Sequence, residues 1–243
     1  MNKLEGKVAV ITGAGGGIGG AIAGSLAAEK MKLVLLGGRK SDRLAKTGSD
    51  AIALGAEVLT LAGDLTDTAF LRDSVGKIIE RFGSLDVLVN NAGAAMNRPF
   101  SDTSEADFDA IMEINVRVPY FLTQFCLPYL KKSDYATVIN IASVVGHLGY
   151  PSQSAYAASK HALIGFTKSF AAETYTDGIR THLICPGGVY TDMVKISRPD
   201  LTAEGMIMPQ DIADIVLFFL KNRGNAVVDE ILVHRVNKQP FLV

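Results

Sequence analysis

Residues 12 to 20 decide the fold of this chain, and they read Thr12-Gly13-Ala14-Gly15-Gly16-Gly17-Ile18-Gly19-Gly20. The run lies between an apolar β-branched segment and an amphipathic one, so it is predicted to join a strand to a helix. Backbone amides at such a helix start can approach a pyrophosphate when no Cβ atoms intervene. Two glycine registers fit the run. GxGxxG uses Gly15, Gly17 and Gly20, whereas TGxxxGxG uses Thr12, Gly13, Gly17 and Gly19.

Outward from this turn, short β-branched runs alternate with longer amphipathic segments. Candidate strands are Val8 to Ile11, Leu33 to Leu36, Val58 to Leu61, Val87 to Val89, Thr137 to Ile141 and Thr181 to Ile184. Candidate helices are Gly19 to Lys30, Thr68 to Phe82, Glu105 to Leu130, Tyr156 to Tyr175 and Pro209 to Leu220. This alternation predicts an α/β fold: a Rossmann-type, doubly wound parallel sheet with helices on both faces. No linker divides the chain, so we expect residues 1–243 to form a single domain.

The composition excludes several classes of protein. The chain has 243 residues, 48% of them hydrophobic, with 24 basic and 25 acidic side chains, which is unlike the basic footprint of a nucleic-acid binder. The uncharged stretch from Val8 to Ala28 imitates a signal peptide or membrane span, but its seven glycines disfavour both. The two cysteines, Cys126 and Cys185, lie in apolar sequence and fit a reduced, cytoplasmic protein. We expect neither a nucleic-acid nor a membrane partner.

The end of the second predicted strand bears on cofactor choice. An acidic residue about twenty positions after the glycine turn would hold the adenosine ribose 2′-hydroxyl of NAD(H). Here the strand ends in Gly37-Gly38-Arg39-Lys40, with no carboxylate. Arg39 offers a guanidinium where a 2′-phosphate would lie, which favours NADP(H) and leaves NAD(H) as the alternative.

A set of polar residues predicts the reaction chemistry. Tyr156 and Lys160 are four residues apart in a predicted helix, so they share one face. Ser143 follows a predicted strand, and α/β sheets bind ligands at the carboxyl ends of their strands. These three side chains are therefore expected to converge beside a bound cofactor.

Together with Asn90-Asn91-Ala92-Gly93, Asn115 and Pro186-Gly187, these motifs resemble the short-chain dehydrogenase/reductase family. The resemblance runs from about Lys7 to Ala213 and selects the TGxxxGxG register. It implies a set of cofactor contacts: Thr12, Gly13, Gly15, Gly16, Gly17, Ile18, Gly19, Arg39, Asp64, Leu65, Asn91, Ala92, Gly93, Tyr156, Lys160, Pro186, Gly187, Val189 and Thr191. It also implies a homodimer or homotetramer whose subunits meet through the helices that contain Glu105 and Tyr156.

The resemblance implies four catalytic residues: Asn115, Ser143, Tyr156 and Lys160. Tyr156 would be the acid-base group, with its pKa lowered by the positive charge of Lys160. Ser143 would polarise the substrate oxygen. Asn115 would hold a relay water through its main-chain carbonyl. We expect that carbonyl to stay free because Pro119, four residues later, has no amide hydrogen. A tolerated proline kink is the alternative.

These features predict an NADP(H)-dependent oxidoreductase that interconverts a ketone or aldehyde and an alcohol. Expected substrate-pocket residues, mostly apolar, are Ala94, Val145, Gln153, Gly188 and Met193. Two alternatives remain: a 3-oxoacyl-(acyl-carrier-protein) reductase, and a catalytically silent NADP-binding scaffold or sensor. Family members that act on acyl carriers often have an arginine at the position of Ala172, which weakens the first alternative. The four histidines show no metal-ligand spacing, so no metal site is expected.

Overall fold

The computed structural model describes residues 3–38, 41–192, 194 and 202–239. Its strands are β1 (Val8–Thr12), β2 (Lys32–Gly37), β3 (Val58–Ala62), β4 (Val87–Asn90), β5 (Thr137–Ile141), β6 (Arg180–Pro186) and β7 (Glu230–Val233). Its helices are α1 (Gly17–Ala28), α2 (Ser41–Ala53), α3 (Thr68–Phe82), α4 (Glu105–Met112), α5 (Val118–Leu130), α6 (Ser154–Thr174) and α7 (Pro209–Lys221). The strands form one parallel sheet in the order β3-β2-β1-β4-β5-β6-β7.

Both faces of the sheet are buried, and β1 shows why. Ala9 and Ile11 point into an apolar layer shared with α1 and α7, whereas Val8 and Val10 point into a second layer shared with α3 and α5. Alternate residues of a strand face opposite sides, so an entirely apolar strand must be covered on both. The predicted doubly wound α/β domain is confirmed.

Local signals determine where individual helices begin and end. Helix α3 begins after Asp67, whose side chain accepts a hydrogen bond from the Ala69 amide at 2.9 Å. It ends at Gly83, which adopts a left-handed conformation with φ of 75°. Helix α4 begins with a capping box in which Ser104 and Asp107 satisfy each other's backbone amides.

The fold departs from the prediction in three places. Strand β7 and helix α2 were not predicted. Strand β7 forms one edge of the sheet, and helix α2 packs against α1 and β3. The helix predicted from Glu105 to Leu130 is present but is not α-helical throughout, because a π turn (Glu113–Arg117) lies between α4 and α5. In this turn the Val118 amide donates to the Glu113 carbonyl, five residues back, instead of the usual four. Pro119 then lies in the first turn of α5, where a missing amide hydrogen is tolerated.

The strand order creates a crevice at one edge of the sheet. Strand β1 lies between β2 and β4 in the sheet. The connection that follows β1 leads towards β2, and the connection that follows β4 leads towards β5, so the two diverge above the carboxyl ends of β1 and β4. Ligands of open α/β sheets bind at such a switch point. None of the described helices is both long and apolar enough to cross a bilayer.

Candidate active site

A cavity of about 1110 Å³ opens at the carboxyl ends of the strands. Its walls come from the loops that follow β1, β2, β4, β5 and β6 and from the residues after β7. The glycine turn lies at one end, and Ser143 and Tyr156 lie in the wall. The cavity therefore joins the predicted nucleotide site to the predicted catalytic residues.

The geometry of the glycine turn distinguishes the two registers. Gly13 has φ of +67°, and a Cβ atom there would lie 2.9 Å from the Ala92 Cα. A Cβ atom on Gly19 would lie 2.4 Å from the Gly13 carbonyl oxygen. At Gly20 the nearest atoms would be 3.8 Å away, an ordinary contact. Gly13 and Gly19 are thus required by the backbone and Gly20 is not, which favours the TGxxxGxG register.

Replacing Gly19 with alanine should destabilise the protein by about 2 kcal/mol and weaken NADPH binding by about tenfold or more. The added methyl group would collide with the Gly13 carbonyl and with the Asn91 side-chain nitrogen, 2.6 Å away. Urea unfolding and NADPH fluorescence titration measure the two effects. Gly20→Ala is the matched control in the same helix and should change neither quantity appreciably. A damaging Gly20→Ala beside a harmless Gly19→Ala would reverse the choice of register.

Thr12 ties the glycine turn to the loop after β4. Its buried hydroxyl oxygen accepts hydrogen bonds from the Asn91 amide at 3.0 Å and the Ala92 amide at 2.9 Å. The Asn91 side chain donates in return to the Thr12 carbonyl at 2.9 Å. These bonds hold the two loops that border the crevice at a fixed separation. Thr12 thus shapes the cavity without being among its lining residues.

Ser143 and Tyr156 lie near each other in the cavity wall. Ser143 follows β5 by two residues, and its hydroxyl is near enough to the phenol of Tyr156, in the first turn of α6, to favour the phenolate. The Ser143 hydroxyl also accepts from the Val145 amide at 3.2 Å and donates to the Pro186 carbonyl at 3.3 Å. Strand β5, the loop after β6 and helix α6 thereby position two hydroxyl groups together at the cavity wall.

Lys160 lies behind Tyr156 in the protein interior. It is 5% exposed, and its ammonium donates to the Ile141 carbonyl at 3.2 Å. Its Nζ atom is 5.9 Å from the centroid of the Tyr156 ring. Burial lowers the pKa of Lys160 to about 8, against an opposing effect of Cys185.

The pKa of Tyr156 is not lowered as the sequence suggested. Burial raises it above its ordinary value, and the nearby Ser143 hydroxyl only partly opposes this. The physical reason is that moving a phenolate out of water costs more free energy than its interactions with neighbouring groups supply. The phenol of Tyr156 therefore keeps its proton at neutral pH.

Asn115 lies in the π turn and connects two loops of the site. Its side chain accepts from the Ala94 amide and donates to the Ala94 carbonyl, both at 2.9 Å. It also donates to the Ser159 hydroxyl at 3.0 Å, and that hydroxyl donates to the Tyr156 carbonyl at 2.7 Å. The residue is 1% exposed, so this network holds the loop after β4 against α6 from within the protein.

A family model described as short chain dehydrogenase matches residues 7–202. The chain belongs to the short-chain dehydrogenase family. The predicted resemblance is confirmed, and as a member of this family the protein is an oxidoreductase.

Individual relatives of this short-chain dehydrogenase cover nearly its whole length. A 3-oxoacyl-(acyl-carrier-protein) reductase of Thermotoga maritima is 32% identical over 240 residues, which is 95% of this chain and 96% of the relative. An alcohol dehydrogenase from the archaeon Thermococcus sibiricus, solved with 5-hydroxy-NADP, has a TM-score of 0.88 and 31% identity over 97% of this chain and 99% of its own. A family member from Burkholderia phymatum, solved with NAD, has a TM-score of 0.87 and 29% identity over 96% and 91%. Such neighbours support a nicotinamide cofactor.

The remaining predicted residues of this short-chain dehydrogenase divide into three groups. Those that line the cavity are Gly13, Gly15, Gly16, Gly17, Ile18, Asn91, Ala92, Gly93, Val145, Gln153, Pro186, Gly187, Gly188, Val189 and Thr191. Among described residues that do not line it are Asp64, Leu65 and Ala94. Asp64 accepts hydrogen bonds from Thr66 after β3, at 2.7 Å and 3.0 Å. Arg39, Lys40 and Met193 lie outside the described residues.

The structure also assembles groups that no local pattern joined. His147 Nε2 lies 2.5 Å from Glu230 Oε1, and the Cys185 thiol donates to the same oxygen at 3.2 Å. Burial, followed by the neighbouring carboxylate, raises the pKa of Cys185. Burial alone would raise the pKa of Glu230, but its bonds with Cys185 and His147 outweigh that effect and lower it. The sequence missed this cluster because its members come from three segments more than 35 residues apart.

The tail after β7 adds further cavity residues that the sequence did not indicate. Arg235 and Lys238 line the cavity, as does Tyr150 from the loop before α6. Arg43 of α2 lines the opposite end and pairs with Asp192 at 2.8 Å. Only the full topology brings the tail beside the loop after β6, where the Gly187 amide donates to the Val233 carbonyl at 2.8 Å.

Proposed function

We propose that this protein is an NADP(H)-dependent oxidoreductase that reversibly interconverts a ketone or aldehyde and an alcohol. The observation that carries the proposal is the meeting of Ser143, Tyr156 and Lys160 beside the cavity that the glycine turn also lines. A hydroxyl pair in the wall with a buried ammonium behind it suits proton transfer to a carbonyl oxygen.

Each side chain has a distinct role in this proposal. The bound nicotinamide would supply the hydride that reduces the carbonyl carbon. Tyr156 donates its proton to the substrate oxygen, and its raised pKa keeps that proton available at neutral pH. Ser143 donates a hydrogen bond to the same oxygen as negative charge develops there. Lys160 stabilises the tyrosinate that remains after proton transfer and binds the nicotinamide ribose.

Asn115 is proposed to support proton return to this site. An α-helical bond to its carbonyl would come from residue 119, which is a proline and has no amide hydrogen to donate. The widened π turn lies at the same place. Both features favour a main-chain carbonyl that holds a relay water near Lys160.

The cofactor fits the groups that the chain offers. The glycine turn presents backbone where a Cβ atom would collide, so a pyrophosphate can approach the start of α1. Arg39 and Lys40 supply cations where NAD(H) binding would call for a carboxylate. The NADP-bound neighbour agrees with the proposed preference, and the NAD-bound neighbour keeps the alternative open.

The preference can be tested by titrating the protein with NADPH and NADH while following nicotinamide fluorescence. We expect NADPH to bind at least about tenfold tighter, a difference of about 1.4 kcal/mol. Arg39→Ala should erase the difference, whereas Arg81→Ala, a surface control in α3, should preserve it. Equal binding of the two cofactors would refute the proposed preference, and a carbonyl screen with NADPH then tests turnover.

A second candidate function is reduction of a 3-oxoacyl thioester on an acyl carrier protein. The Thermotoga maritima relative favours it, because its match extends over almost the whole chain. Ala172, in place of the arginine frequent in such reductases, disfavours it. Turnover of a 3-oxobutanoyl thioester on an acyl carrier protein, compared with free ketones, separates the two candidates. A silent scaffold would reduce neither compound while still binding NADPH.

The assembly and compartment are also proposed. Aromatic side chains on α5 and α6 form an outward surface in which the Tyr120 and Phe166 rings lie 5.0 Å apart. Tyr120 is 45% exposed, so this surface suits a homodimer or homotetramer interface. The two free cysteines are buried, in keeping with a reduced cytoplasmic protein. Light scattering of the purified protein would give the number of subunits.

A further inference from the structure

The tail segment, residues 234–239, forms one wall of the cavity. The bond between the Gly187 amide and the Val233 carbonyl holds the end of β7 against the loop after β6. Beyond it, the Lys238 amide donates to the Arg235 carbonyl at 3.0 Å and closes a turn. Arg235 and Lys238, at the two ends of this turn, both line the cavity. One turn thus presents two cations to the site.

Arg235 is the better positioned of the two. Its Cδ and Nε atoms lie 3.8 Å from where a Cβ of Gly188 would be, so its side chain crosses the loop that borders the predicted substrate pocket. It is partly buried, and its Nη1 atom contacts the Met206 sulfur at 3.2 Å. A thioether is a weak acceptor, whereas a guanidinium offers five N–H donors in a planar fork. The hydrogen-bonding capacity of Arg235 is therefore largely unused.

The charges around the cavity leave this end positive. Asp192 is the carboxylate among the described lining residues, and it pairs with Arg43. Arg43 lies beside Gly15 at the glycine-turn end, away from Gly188. Within the described part of the chain, no carboxylate lies in ion-pair distance of Arg235 or Lys238.

We propose that Arg235 binds a carboxylate of the substrate, so that the physiological substrate is an oxo acid and its product the corresponding hydroxy acid. The planar fork of arginine matches a carboxylate bidentately, and this orients the carbonyl group as well as holding the molecule. Lys238, more exposed, adds attraction for the anion as it enters. This inference rests on the proposed function and specifies the chemical class that the same site accepts.

The first test compares acids with their neutral esters. The substrates are 2-oxopentanoate, 4-oxopentanoate and the methyl ester of each, all assayed with NADPH. We expect at least one acid to exceed its ester in kcat/KM by about tenfold or more. Arg235→Gln should remove that advantage, mainly by raising KM, and leave the ester rates within about threefold. Arg235→Lys should restore part of the preference, because it returns the charge without the fork.

The second test does not depend on turnover. Calorimetric titration with pentanoate in the presence of NADP⁺ should show binding to the unaltered protein and about tenfold weaker binding to Arg235→Gln. Arg81→Gln removes the same charge from α3 and should change neither measurement. Because pentanoate is not a substrate, this titration decides the carboxylate site even if every carbonyl compound fails to react.

Several outcomes would overturn the inference. Equal losses for acid and ester would make Arg235 a structural residue. A weaker NADPH affinity in Arg235→Gln, with an unchanged acid-to-ester ratio, would assign it to a cofactor phosphate. Reduction of esters without any preference for acids would refute the carboxylate site while leaving the proposed oxidoreductase intact. Failure of pentanoate to bind the unaltered protein would refute the carboxylate site, whereas normal pentanoate binding without reduction of any carbonyl compound would contradict the proposed oxidoreductase and not the carboxylate site.

Discussion

Tyr156→Phe should lower kcat by about a thousandfold or more while leaving NADPH affinity within about threefold. The substitution removes one oxygen atom, the phenol oxygen that lies near the Ser143 hydroxyl and holds the proton for the substrate. The ring remains to fill its place in the cavity wall, so the fold and the cofactor site keep their shape. Steady-state kinetics and fluorescence titration measure the two quantities on the same preparation.

A second tyrosine in the cavity provides the control for this experiment. Tyr150 also lines the cavity and is 45% exposed, so Tyr150→Phe removes a hydroxyl from the same space. It should change kcat by less than about threefold, because a hydroxyl that is not positioned at the substrate oxygen contributes little. Activity of Tyr156→Phe within about tenfold of the unaltered protein would show that another group donates the proton.

Lys160→Met should lower kcat/KM by about a hundredfold or more and yet raise the free energy of unfolding at pH 7 by about 1 to 3 kcal/mol. Burial lowers the pKa of Lys160 to about 8 from an ordinary 10.5, so the folded protein carries an unfavourable buried charge at neutral pH. Methionine has similar length and no charge. The lost hydrogen bond to the Ile141 carbonyl costs about 1 kcal/mol and offsets part of the gain.

The sign of this effect gives it a distinctive pH dependence. Between pH 8 and about 10.5, the unfolded chain holds the Lys160 proton and the folded protein does not, so stability of the unaltered protein rises with pH in that window. The difference in free energy of unfolding between Lys160→Met and the unaltered protein should therefore shrink from pH 7 to pH 10. Urea unfolding without cofactor at both pH values measures it. Lys168→Met, an exposed site in the same helix, should show no such trend. A variant that is less stable at both values by the same amount would contradict this account.

The sequence predicted the features that depend on local pattern. The six strands from β1 to β6 are confirmed because buried parallel strands read as apolar runs bounded by turns. Ser143 follows β5 and Tyr156 lies in the first turn of α6, and the four-residue spacing puts Lys160 on the same helix face, so the three side chains converge at one edge of the sheet. Local pattern alone left two glycine registers open, since the choice between them depends on the close approach of Gly13 to Gly19 across the turn.

What the sequence did not predict depends on tertiary structure. Strand β7 has only four residues and begins with Glu230, so it lacks a distinct strand pattern. The contacts of Arg235 with Gly188 and Met206 exist only because β7 pairs with β6. The raised pKa of Tyr156 follows from burial that no spacing reveals. The π turn was not predicted, although Pro119, two residues beyond it, was a visible local signal.

That turn has a consequence for how related sequences should be compared. The wider turn absorbs one extra residue inside a continuous helix, so the positions after it keep the faces that they would have in an uninterrupted α-helix one residue shorter. An alignment with a family member that lacks the turn should therefore place its one-residue gap between Glu113 and Arg117, because a gap elsewhere in the helix would rotate one side of it by about 100°. For evolution, this turn is the part of the helix in which one residue can be lost while the buried faces stay in place. For engineers, chimeras with other family members should place their junctions outside this segment.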